Sequence, residues 1–167
     1  MPLATALALS ACSGEEPWPP PLFDCEGKGE RYLLRDLGDG SLVLEIEAAP
    51  VGKVGVSTWL SSWSDIRKGS VVGQQGGHQS HLRLFDGKQH IVLYEGDDGP
   101  MSDVPGATHA GVALLGGSSN GELVKVADCE ASRTNRALLE NVRRARVAAK
   151  APDLADEDVG GPFDKWY

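Results

Sequence analysis

Residues 81–94 constrain the fold more than any other stretch: His81-Leu82-Arg83-Leu84-Phe85, then Asp86-Gly87, then Lys88-Gln89-His90-Ile91-Val92-Leu93-Tyr94. Alternation of apolar and polar residues with period two is the pattern of a strand with one buried face. Asp-Gly between two such runs supplies the positive φ angles that a tight hairpin turn needs. A two-residue loop pairs Phe85 with Lys88, Arg83 with His90 and Leu82 with Ile91. Leu82, Leu84, Ile91 and Leu93 then point to a core, and His81, Arg83, His90 and Tyr94 share the other face, expected to be wet.

The same period recurs on both sides of the hairpin. Residues 31–35, 41–47, 54–60, 108–115 and 123–127 read as strands, with Gly38-Asp39-Gly40 and the Gly116–Gly121 stretch as turns. This predicts a mainly β domain over 25–129, a small antiparallel barrel or sandwich. After Cys129 the period becomes helical, with Leu138, Leu139, Val142, Ala145 and Ala149 on one stripe and Arg136, Arg143, Arg144 and Arg146 around the rest. One C-terminal helix is expected within 130–150, from about Arg133 to Lys150, capped by Ser132 and stopped by Pro152. Its basic side reads as a solvated face or as a contact for anionic lipid or an acidic partner. Residues 151–167 read as an acidic tail whose aromatic tip, Phe163, Trp166 and Tyr167, is apolar enough to dock on the domain or a partner.

At the other end, residues 1–11 are apolar, small and uncharged, like the core of an export signal, and too short to span a bilayer. Leu9-Ser10-Ala11-Cys12 resembles the lipobox of bacterial lipoproteins. That resemblance implies diacylation of Cys12, export to the cell envelope, and, since Ser13 rather than Asp follows, sorting to the periplasmic face of the outer membrane. No Lys or Arg precedes Lys28, a departure from the usual basic start of such signals. Residues 12–24, with Pro17 and Pro19-Pro20-Pro21, read as an extended tether with a reach of ~30 Å.

Three cysteines are an odd number for an exported chain. With Cys12 assigned to lipid, Cys25 and Cys129 remain, one just before the first expected strand and one just after the last. They are expected to form a disulfide that staples the two ends of the β domain.

Net charge is −8, which argues against a nucleic-acid partner, because a phosphate-backbone binder needs a basic surface. His78 and His81 lie an odd number of residues apart and so point to opposite faces of a strand, while His81 and His90 are diagonal neighbours in the expected hairpin; no metal site is read from them. No Gly-x-Ser-x-Gly elbow, phosphate-cradling loop or calcium-loop register is present, so neither a catalytic residue nor a cofactor is assigned.

Ser61-Ser62-Trp63 and Arg67-Lys68-Gly69 bear some similarity to the cleft-entering segments of the lipoprotein inhibitors of c-type lysozyme. The similarity implies that a serine hydroxyl and the Lys68 ammonium meet catalytic carboxylates. Four residues separate Trp63 from Lys68, no Ser-Gly-x-x-Tyr loop precedes them, and that family has no counterpart of the C-terminal helix. The expectation is therefore a lipid-anchored envelope module that binds a protein or glycan or serves a structural role. A hydrolase inhibitor is the second reading and an enzyme of unknown type the third. The candidate binding residues are Ser61, Ser62, Lys68, His81, Arg83, His90, Tyr94 and Trp166.

Overall fold

The computed structural model describes residues 20–38, 41–48, 57–61, 66–72, 76–85, 89–116, 123–130 and 137–157. Among them are ten strands and one helix. Strands β1 (Phe23–Glu26), β2 (Glu30–Asp36), β3 (Leu42–Ala48) and β4 (Ser57–Ser61) form an antiparallel four-stranded sheet in sequence order. Strands β5 (Arg67–Val72), β6 (His78–Phe85), β7 (Gln89–Asp97), β8 (Thr108–Gly116) and β9 (Leu123–Asp128) form the second sheet. The short β10 (Ala155–Asp156) runs parallel to β5 at its edge. The architecture is a sandwich; among the described residues neither sheet closes into a barrel.

The alternation seen in the sequence builds the core directly. Phe23, Cys25, Tyr32, Leu34, Leu42 and Leu44 from the first sheet meet Leu82, Leu84, Ile91, Leu93 and Val112 from the second in one buried cluster. Helix α1 (Leu138–Ala148) adds Leu138 and Val142 to that cluster. The helix lies inside the expected 130–150 range, and Ser132, its expected cap, lies outside the described residues. Instead the carboxylate of Glu95 on β7 accepts the Leu138 backbone N–H at 2.7 Å. Two strands fall where none is expected from the sequence: β1 straddles the end of the tether, and β5 begins at Arg67-Lys68-Gly69. Residues 153–157, read as the start of an acidic tail, return to the domain as β10 and bury Leu154.

The hairpin forms with a register two residues away from the expected one. Phe85 pairs with His90, Arg83 with Val92 and Leu82 with Leu93. A slip of two leaves every side chain on its face, so alternation alone does not select between the registers. Packing does: the observed register sets Leu82 opposite Leu93 and Leu84 opposite Ile91, whereas the expected one faces Leu84 with Gln89 and Leu93 with Ser80. His81 and His90 are consequently not neighbours, since their partners are Tyr94 and Phe85.

Cys25 and Cys129 are disulfide-bonded, with a Cα–Cα distance of 5.1 Å. The Glu130 N–H bonds to the Glu26 carbonyl at 2.9 Å, so the bridge and a backbone bond together fasten the end of the second sheet to β1. No described helix is long and apolar enough to cross a membrane.

Candidate functional site

Between the inner faces of the two sheets lies a cleft of about 230 Å3. Ile46 on β3 walls it from the first sheet, and Ile91, Val112 and Leu114 on β7 and β8 from the second. Glu30, Tyr32 and Lys125 stand with them. Lys125 pairs with Leu114, which pairs with Ile91, so the lysine occupies an inward position on edge strand β9. Its stem can cover apolar surface while the ammonium reaches outward. Here the ammonium crosses to the other sheet and pairs with Glu30, which also accepts the Tyr32 hydroxyl. The Glu30 and Lys125 side chains stay 34% and 48% exposed, which leaves the charged end of the cleft open to solvent.

The electrostatics follow from that contact. The Lys125 hydrogen bond, and then the Tyr32 hydroxyl, hold the Glu30 carboxyl below its ordinary range. Glu30 in turn raises Lys125. Burial, and then the Glu30 carboxylate, push the Tyr32 phenol up to about 12. At neutral pH the mouth is an anion, a cation and a neutral phenol over an aliphatic floor. Such an arrangement can hold an apolar body and recognise one polar head.

The residues singled out in the sequence fall elsewhere. His81, Arg83, His90 and Tyr94 do share one face of the second sheet, as expected, but the face is not wet: His81, His90 and Tyr94 are buried. Two features dry it. Glu157, next after β10, sets its carboxylate against His81 Nε2 at 2.5 Å and against Arg83 Nε at 2.6 Å. Rings also lean over cross-strand glycines: His81 over Gly69, Tyr94 over Gly111 and His109 over Gly96. Beyond Gly111 the Tyr94 hydroxyl donates to Asp128 at 3.0 Å. His90 stacks on Phe85 with ring centroids 4.5 Å apart.

Lys68 pairs with Asp153 at 2.5 Å and Asp156 at 3.8 Å, beneath α1. Ser61 is the last residue of β4; Cys12, Ser62 and Trp166 lie outside the described residues. The described members of the candidate set thus do not form one site, and the charges of Lys68, His81 and Arg83 are engaged with the 153–157 segment. The cleft residues carried one legible signal, a lysine at an inward position of the Leu123-Val124-Lys125-Val126-Ala127 alternation. Comparison with protein families, with curated proteins and with solved structures finds no match to this chain.

Proposed function

We propose that this chain is a lipid-anchored module of the bacterial cell envelope, held through Cys12, that binds an amphipathic small molecule in the cleft between its sheets. The observation that carries the binding reading is the cleft itself: an aliphatic floor of Ile46, Ile91, Val112 and Leu114 under the Glu30–Lys125–Tyr32 contact. Pockets that hold small ligands combine apolar walls with a few placed polar groups in this way. The Cys25–Cys129 disulfide supports the envelope, because such bonds persist in oxidising compartments. The lipobox-like Leu9-Ser10-Ala11-Cys12 supports the anchor.

Two experiments test the two halves. Metabolic acyl labelling is expected to mark the wild-type chain and to disappear in Cys12→Ala; label that persists removes the anchor. Titration of the full chain with a medium-chain fatty acid, followed by calorimetry, is expected to saturate at one site. Leu114→Trp, which fills the cleft, is expected to abolish that binding while circular dichroism stays that of the parent. Absence of saturable binding by the parent, or equal binding by the filled variant, removes the cleft as the site.

A further inference from the structure

Helix α1 turns Leu138 and Val142 into the core, and its other side faces outward with Arg143, Arg144 and Val147. Both guanidinium groups share Glu140, Arg143 at 2.8 Å and Arg144 at 3.4 Å, so one carboxylate meets two cations; their side chains stay 60% and 64% exposed, and Val147 is 67% exposed. Arg146 is turned inward, 3% exposed, onto the Pro152 carbonyl. The outward side of 138–150 therefore carries Arg143, Arg144 and Lys150 against the single acid Glu140, in a protein whose net charge is −8. Basic charge is therefore concentrated here.

The tether is fastened to the same helix. Asn141 Nδ2 donates to the Leu22 carbonyl at 3.1 Å. Pro20, Pro21 and Leu22 form one wall of an open groove of about 560 Å3 whose other walls include Leu37 and the α1 residues Arg144, Ala145 and Ala148. The chain that leads back to Cys12 thus departs alongside the basic helix.

We infer that the outer face of α1 rests on an anionic lipid surface, the leaflet in which Cys12 is anchored. The inference depends on the lipoprotein reading above and adds an orientation to it. An anchor with a reach of ~30 Å lets the domain touch the leaflet, and basic side chains act on it once they come within about 10 Å, the Debye length. Each Arg near an anionic surface favours contact by about fivefold. Because the anchor already supplies proximity, Arg143 and Arg144 set which face lies down rather than whether the protein binds. Val147, one turn further along the same side, and the groove beside the tether offer apolar contact at headgroup depth.

The full chain, coupled through the Cys12 thiol to a maleimide lipid, provides the test on vesicles of phosphatidylcholine with or without about 30 mol% phosphatidylglycerol. Phenylglyoxal modification of each arginine is followed by peptide mass spectrometry, with Arg31 on the far sheet as internal reference. On the anionic vesicles Arg143 and Arg144 are expected to react at least about fivefold more slowly than on neutral ones, and to regain their rate at about 1 M salt. Equal rates on both vesicles overturn the inference. So does equal protection on neutral vesicles, which marks apolar contact, or protection without vesicles at raised protein concentration, which marks self-association. Coupling is chemical, so these outcomes stand apart from acyl labelling in cells, which tests the anchor alone.

Discussion

The Glu95 carboxylate, projecting inward from the middle of the second sheet, caps helix α1 by accepting the Leu138 N–H at 2.7 Å. Ala137, which precedes the helix, makes no side-chain cap, so a strand residue 43 positions earlier supplies what a local Ser or Asp usually does. Glu95 is 8% exposed, and its second oxygen has no hydrogen-bond partner among the described residues.

That geometry gives a pH dependence. Burial, partly offset by the Leu138 N–H, pushes the Glu95 carboxyl up to about 7 from an ordinary 4.5. The folded state therefore holds this proton more tightly than the unfolded chain does. Its contribution is fully present below about pH 4.5 and is lost as pH rises through about 7, up to about 3 kcal/mol. Glu30 and Glu157 are shifted the other way and lose stability only as pH falls below the ordinary carboxylate range, outside this window. Urea midpoints are expected to decline from pH 5 to pH 8 in the wild type. In Glu95→Gln, which keeps an acceptor for Leu138, the decline should vanish; an unchanged slope would show that Glu95 does not cause it.

A second prediction concerns the dry face. A Cβ on Gly69 would stand 2.5 Å from the His81 ring, closer than carbon atoms pack. Gly69→Ala must therefore displace a ring pinned by Glu157, and is expected to cost about 2 kcal/mol. The listener to this clash is a side chain rather than backbone, so His81→Ala should relieve it. In that background the same Gly69→Ala change should cost less than about 0.5 kcal/mol, a coupling read from a double-mutant cycle. Additive costs would place the strain elsewhere.

These contacts show where sequence reading succeeds and where it stops. Period-two alternation placed Leu82, Leu84, Ile91 and Leu93 in the core because face assignment is local. Register was not local: a two-residue slip preserves the faces, and only cross-strand packing of Leu84 on Ile91 selects between the alternatives. The burial of His81 depends on Glu157, 76 residues away, and acidic residues after a helix-stopping Pro152 read as a solvated tail. The cleft was fainter still. Lys125 breaks the inward pattern of β9, but its partner Glu30 lies on the other sheet, and no spacing rule connects them.

The disulfide supplies the third prediction. Cys25 is fully buried in the core, and its bond to Cys129 closes a loop with a sequence separation of 104. A loop of that length constrains the unfolded chain by about 4.7 kcal/mol in the chain-entropy model. Cys129→Ala is expected to lower stability by about 3–5 kcal/mol, read as a shift in urea midpoint. Reductant should reproduce the shift in the wild type and have no effect on the variant.

The end of α1 allows a stabilising change. Lys150 has φ of 54°, the left-handed region that glycine occupies without a Cβ penalty. Its N–H bonds to the Val147 carbonyl and the Ala151 N–H to the Arg146 carbonyl, the pair of bonds that closes a Schellman end. Lys150→Gly is expected to raise stability by about 0.5–1 kcal/mol in thermal unfolding, whereas Lys150→Val should lower it.

The last prediction separates folding from binding at the cleft. Lys125→Met keeps an unbranched stem of similar length over Leu114 and Ile91 and removes only the ammonium. The Lys125–Glu30 pair is half exposed, so its loss should cost no more than about 1 kcal/mol of stability. The Tyr32 hydroxyl still donates to Glu30, but the largest influence holding that carboxyl low is gone, and its titration should move upward. Under the proposed function, affinity for a fatty-acid carboxylate should fall by about tenfold, while a neutral alkyl alcohol of equal length should bind as before. Calorimetry with both ligands on both proteins reads this directly. Equal losses for the two ligands would mean that Lys125 shapes the cleft without recognising charge, and no loss for either would place the ligand's head elsewhere.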